Sequence, residues 1–467
     1  MMKNHHFRWM RGILFAGAMA LLLSCGGGGG GSGSAGSLAG IAESGATGSG
    51  SDGAGTGGGG SDGTGGTGGT GTAGGSDGTS TAGNGSDDGS GVGSGGTGVS
   101  TADATGIGSV GGLGSIILNG VRYKTQPEAP DGIDPANFNL EDATELQIGM
   151  SVRIAGKIDS EFTAATAQQV ESAAELRGAV SAIDAGAGSF VVMGTTVTID
   201  NATIWSGANS LAEVAIGSVV QVWGLPSAPG TLRATRVELK PVSAEPLVTG
   251  VVQNLDRAGQ QFMLGQLTVR YGSATFAGGI DASTLAEGAI VRVRGSAAPV
   301  AGGVFTATKV QGWYAVPTQN AAAVQLAGVI TNYGGLNAFK VLGTAVDASN
   351  AIVTGGPVSS IGDGVKVELD GFVTNGVLVV KKLRIRYIPG TGGPVAFIVI
   401  GPVTNYQSAS DFMVKGQRVN ASAPMTVFEN GTVADLANLP PNRKVSVVGN
   451  AVVDGVLTAQ TVTFLTP

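Results

Sequence analysis

The sequence predicts an all-β fold: five tandem barrels of five strands each, with one small helical turn per unit, behind a disordered glycine-rich tether. Three observations predict it. From Thr105 onward, short segments rich in Val, Ile, Phe and Thr alternate in hydropathy and are cut by glycines, the pattern of half-buried strands. Over that stretch the same landmarks return five times in one order, which marks a repeat architecture. Residues 26–104, by contrast, are almost wholly Gly, Ser, Thr, Ala and Asp, a texture that offers little from which to build a core.

The first element is residues 1–24, expected to be a lipoprotein signal peptide. Lys3, Arg8 and Arg11 precede an apolar run from Ile13 to Leu23, the charged-then-apolar layout of an export signal. A membrane-spanning helix needs about 20 apolar residues, and this run meets Gly26 to Gly31 well short of that. Leu22, Leu23, Ser24 and Cys25 resemble the lipobox of bacterial lipoproteins, in which the cysteine is joined to diacylglycerol and becomes the new N-terminus. The resemblance implies lipidation of Cys25 and a membrane as partner. It also accounts for a single thiol, which has no second cysteine for an internal disulfide. Several acyl chains anchor firmly where one does not. Gly26, in place of an aspartate after the cysteine, implies by the same resemblance an outer-membrane destination.

Residues 25–104 are the tether. Its only charges are Glu43, Asp52, Asp62, Asp77, Asp87, Asp88 and Asp103. Such a segment cannot bury enough surface to offset the entropy of ordering. It is expected to be a coil with a root-mean-square span of about 45–55 Å.

The body divides into units at 105–172, 173–242, 243–316, 322–388 and 396–467. A first landmark is a short strand that runs into a glycine and out as another strand, at Gly120, Gly194, Gly265, Gly343 and Gly416, spaced by 74, 71, 78 and 73 residues. A second is an alternating strand ending in Gly156, Gly224, Gly295, Gly371 and Gly449. A third is a closing strand that continues to Val170, Val237, Val310, Leu383 and Val462. Each unit opens near Gly108, Gly178, Gly250, Gly328 or Gly401. Between the strands, stretches such as 210–217 and 282–288 have the character of a short helical turn stopped by glycine. Alternation such as Val291, Arg292, Val293, Arg294 places the valines inward and the arginines toward water.

Three strands, a helical turn and two strands in about 70 residues resemble the oligonucleotide/oligosaccharide-binding (OB) fold, a small closed barrel. Closure removes exposed sheet edges, and tandem units are expected to form a quasi-one-dimensional string. The repeats also resemble an uncharacterised family of β domains of unknown function, found in tandem on bacterial secreted proteins and lipoproteins. That resemblance spans about residues 106–465 and is carried best by 114–123 and 148–154; unit four departs from it at Val379, Val380 and Lys381. It implies an architecture and no activity.

The only histidines, His5 and His6, lie in the signal, and the only cysteine is Cys25, so the body has neither residue. That excludes Ser-His-Asp and Cys-His nucleophile systems, ordinary zinc sites and histidine proton shuttles. No catalytic residue, metal or cofactor is expected. A carboxylate pair for glycan cleavage is the enzymatic alternative. Its candidates are Asp131 and Asp134 in a Pro/Gly turn, or Glu141 and Asp142 before the helical turn of unit one, although acids in such places are ordinarily loop or capping groups. Asp131 and Asp134 are also a calcium candidate, because loop oxygens are what calcium takes.

Binding residues are sought among aromatic planes and cations. Trp223 stands where other units carry Ala155, Arg294, Asp370 and Val448, a position that tolerates charge, so it is expected to be exposed and open to a ligand. Tyr333 and Tyr406 stand where other units have Ile183 and Leu255, and are expected to pack. Lys382, Arg384 and Arg386 alternate with Leu383 and Ile385, and a second group of cations gathers at Arg270, Arg292 and Arg294. Such a stripe suits anionic glycan or lipid headgroups, or is simply a solvated strand face. Nucleic acid is disfavoured by a net charge of -7. The expectation is a non-enzymatic, lipid-anchored envelope protein whose repeats serve a structural role or make weak multivalent contact with an envelope glycan or partner protein. The alternatives are a carboxylate-based glycan-processing enzyme and a mechanical spacer without a ligand.

Overall fold

The computed structural model describes residues 104–126, 135–241, 245–299, 303–422 and 424–466. The signal, Cys25, the tether through residue 103 and the turn with Asp131 and Asp134 lie outside the described residues. Among the described residues the protein is nearly all β, and one pattern of strands recurs in tandem.

Unit two shows the pattern. Its opening strand Leu176–Asp184 pairs antiparallel with Ser189–Val192, which pairs antiparallel with Thr195–Thr198. The third strand lies parallel to the closing strand Thr231–Lys240; the closing strand is antiparallel to Val219–Pro226, and that fourth strand is antiparallel to the opening one. The circuit of ladders therefore returns to its start. A short extra strand, Ile204–Ser206, runs parallel to the closing strand. The same pairings recur in unit one, unit three, unit four and unit five. The helical turn is a single 3-10 element in units two, four and five, at Leu211–Glu213, Val358–Ser360 and Val433–Asn438.

Two of the sequence landmarks have direct backbone causes. The glycines between the second and third strands, from Gly120 to Gly416, all have positive φ, between 59° and 81°, which a two-residue hairpin turn requires. The glycines in the fourth strands sit at register shifts, where the closing strand crosses so tightly that a Cβ would lie 2.0 Å from the Thr166 carbonyl oxygen at Gly156 and 2.4 Å from that of Arg233 at Gly224. Inside each circuit the apolar residues meet. Phe190, Phe262, Phe339 and Phe412, all in second strands, are buried there, as are the closing-strand residues Val170, Val237, Val310, Leu383 and Val462.

The units are not separate barrels in a row. Among the described residues strand pairing links 32 strands into one hydrogen-bonded network. The opening strand of unit one pairs with those of unit four, Ile107 opposite Leu326, and unit five, Leu113 opposite Val399. Unit two pairs with unit three, Val248 opposite Leu176, and its Trp205 pairs with Val453 of unit five. Contacts between units one and four, or two and five, cannot arise in a linear string. The physical reason is that outer-face residues of the opening, fourth and closing strands, Gln221, Arg236, Arg292 and Gln325 among them, are buried and hydrogen-bonded to other units. Arg292 corrects the expectation that these arginines face water: it is 1% exposed.

Candidate functional site

The polar residues that sequence alone turns toward water converge instead on three junctions between units. Units one, two and three meet around Glu175, which lies between the closing strand of unit one, Ala164–Ser172, and the opening strand of unit two. Its Oε1 accepts hydrogen bonds from the Ser151 hydroxyl at 3.0 Å, the Arg292 guanidinium at 2.8 Å and the Tyr314 hydroxyl at 2.6 Å. Its backbone is bound as well: its N–H donates to the Val222 carbonyl, and its carbonyl accepts from Thr249. Arg292 lies over the Trp313 ring, 4.0 Å from the centroid. Burial, and the neighbouring Glu175 charge, push the Tyr314 hydroxyl well above the ordinary tyrosine range, so it remains a donor.

Trp223 stands at this junction. It is 1% exposed and packs with Met150, Ala174 and Leu247, which corrects the expectation of an exposed plane. Its position accepts charge in other units because it faces a unit boundary, where Arg294 and Asp370 find ionic partners.

The second junction is built on Asp142. Its carboxylate accepts from Arg177 of unit two at 2.5 Å, from Arg294 of unit three at 2.7 Å and from the backbone of Ala174 at 2.9 Å. Glu141 joins Arg294 at 2.9 Å and Lys309 at 3.7 Å. Burial alone raises the Asp142 carboxyl, but the hydrogen bond and charge of Arg294, with Arg177 and the Ala174 N–H, outweigh it and hold the group at about 2. A carboxylate so held stays ionised and is a poor proton donor at neutral pH. Beside it lies an open cleft of about 500 Å³ reached by Lys240 and Glu245.

The third junction takes up the cationic stripe of unit four. Arg384 binds Asp370 at 2.7 Å and Glu368 at 3.2 Å, and donates to the Asn119 carbonyl of unit one at 2.6 Å. Arg386 binds Glu368 at 2.7 Å, and Lys382 donates to the Glu161 carbonyl of unit one at 2.7 Å. Gln325 bridges Asp370 to the hydroxyl of Tyr123, whose ionisation is suppressed by burial and by the Asp370 charge. All three stripe cations thus have acceptors within the chain, and Lys382 and Arg384 tie unit four to unit one.

Sequence reasoning missed Glu175. One clue to Glu175 was available: Ala173, Ala174 and Glu175 join two strands without a turn residue, an acid where the chain has no loop. Tyr333 and Tyr406 do pack, each beside the second-strand phenylalanine of its unit, Phe339 and Phe412, at 6.0 and 6.2 Å. Among the described residues no group of three or more acidic, histidine or cysteine side chains stands close enough to hold a metal ion. A further groove of about 660 Å³ runs between units two, three and four, past Arg233, Lys340 and Asp363.

Strand circuits joined by buried polar junctions define a nearly all-β tandem-repeat protein. Within it, residues 177–238, 249–311 and 400–463 match one family model, described as Domain of unknown function (DUF5666), so units two, three and five are similar to members of an uncharacterised repeat family. No curated protein matches the chain.

Proposed function

We propose that the protein is a non-enzymatic component of the bacterial cell envelope, held in the outer membrane by acylated Cys25. In this reading its five OB-like units act as one braced body at the end of a long tether. The order of the strand circuit, first-second-third-closing-fourth, supports the OB-like reading of each unit. The body bears on an envelope glycan or a partner protein as a single object.

The observation that carries this reading is the use of charge. Arg177, Arg292, Arg294 and Arg384 are all bound to carboxylates at junctions between units, so the polar residues that a catalytic or repeated binding face would use serve assembly instead. One body with one outer surface favours a structural role over five equivalent weak sites. Asp142, held ionised, fits a brace better than the acid of a glycan-cleaving pair.

The experiment is fractionation with mass spectrometry. The mature chain is expected in the outer-membrane fraction with an acylated N-terminal cysteine, and Cys25→Ser is expected to lose both the acyl mass and the membrane association. Retention of the Cys25→Ser chain in the membrane, or turnover of envelope glycan that is lost on Glu141→Gln, would overturn the reading.

A further inference from the structure

The closing strand defines five equivalent positions. On each short strand one residue lies opposite the same landmark: Phe138 opposite Val170, Trp205 opposite Val237, Phe276 opposite Val310, Val353 opposite Leu383 and Phe428 opposite Val462. The residue just before it points to the other face of the strand. In the five units that residue is Asn137, Ile204, Thr275, Ile352 and Val427.

Its chemistry follows its surroundings in the first three units. Asn137 and Thr275 are exposed, and both are polar. Ile204 is apolar and 1% exposed, because other units cover it. It packs in one cluster with Ile148 of unit one and with Phe397 and Val399 of unit five, while its neighbour Trp205 pairs with Val453. The chain thus places a polar residue where the position meets water, and isoleucine where a unit of the same build covers it.

Units four and five depart from that rule. Ile352 is 65% exposed and Val427 is 54% exposed among the described residues. In unit five the apolar surface extends further, since Met425, two residues earlier, is 84% exposed, whereas Asn350 holds the matching place in unit four. Among the described residues the strand Val427–Glu429 pairs only with its own closing strand, so its outer edge is an open template for another strand.

We propose that a second copy of this chain covers this edge of unit five, docking on Val427 and Met425. The cover seen at Ile204 comes from units of the same kind, which makes another copy the matching occupant. An edge strand is also self-complementary: two copies related by a two-fold axis can pair the free backbone groups of Val427–Glu429 antiparallel in one isologous contact, with Val427 and Met425 of each copy beside it.

The test is sedimentation velocity of the full chain in density-matched detergent over a wide range of concentration, for the natural protein, Val427→Asn and Met425→Asp. Val427→Asn gives unit five the residue that unit one uses, and both side chains are exposed, so neither substitution disturbs the core. The natural protein is expected to rise from the mass of a single mature chain toward twice that value. Each variant is expected to weaken self-association by about tenfold or more with an unchanged circular dichroism spectrum, and Ile352→Asn is expected to behave as the natural chain. A single-chain mass at every concentration would overturn the proposal. So would self-association that survives both unit-five substitutions, or that is lost only on Ile352→Asn.

Discussion

Glu175 and Arg292 meet at 2.8 Å with both side chains fully buried, although Arg292 belongs to unit three and Glu175 to the link between units one and two. Arg292 has its Nε and one terminal nitrogen against the Trp313 ring rather than on an acceptor, so Glu175 is its main electrostatic partner. Removing one member of a buried pair strands the other charge, at a cost of about 3–5 kcal/mol. Arg292→Met and Glu175→Leu are each expected to lose about that much in urea unfolding, and the double variant far less than the sum of the two. Additive losses would show that the two side chains do not interact.

Asp142 makes the acid limb of stability predictable. Its carboxyl is held at about 2, below the ordinary carboxylate value of 3.8, by Arg294 and Arg177 against the opposing effect of burial. A lowered folded-state value means that the stabilisation is complete above about pH 4 and is lost as the pH falls toward 2; the size at neutral pH is roughly 2 kcal/mol. Asp142→Asn is expected to be less stable at pH 7 and to show a flatter fall between pH 4 and 2. A variant that keeps the natural slope in that window would assign the acid limb to other carboxylates.

How far this was legible in the sequence depends on the kind of constraint. Gly194 and Gly224 were visible as landmarks because backbone geometry demands them, one for a positive φ and the other for a carbonyl that leaves no room for a Cβ. Phe190 and Val237 were visible because alternation separates the two faces of a strand. Alternation does not say what the outer face meets. Arg292 and Trp223 both lie on outer faces, and only the packing of whole units decides that they are buried. Asp142, a capping acid by its local sequence, binds arginines 35 and 152 residues away, a separation that no local pattern encodes.

The tryptophans report on that packing. Trp205, Trp223 and Trp313 are all buried, and Trp223 sits where three units meet. Their emission is expected to be blue-shifted and protected from iodide quenching. Trp223→Ala is expected to cost about 3–5 kcal/mol, as for a large aromatic removed from a packed core. If Trp223→Ala left stability unchanged, the junction of units one, two and three would not exist in solution.

Two turn glycines separate the contribution of the unit from that of its neighbour. Gly265 and Gly416 both stand in the two-residue turn between second and third strands, as its first residue in unit three and its second in unit five, with φ of 59° and 81°. At Gly416 an added Cβ meets nothing within 4 Å, so Gly416→Ala carries only the left-handed backbone penalty, about 1–2 kcal/mol. At Gly265 the Cβ would lie 2.5 Å from the Cα of Gly230, at the hairpin tip of unit two. Backbone cannot swing aside as a side chain can, so Gly265→Ala adds overpacking, about 1–3 kcal/mol beyond the shared penalty. Thermal unfolding is expected to place Gly265→Ala clearly below Gly416→Ala, and faster amide exchange should reach the Gly230 turn as well as its own. Equal losses would mean that units two and three do not press their turns together, and that each unit is stable by itself.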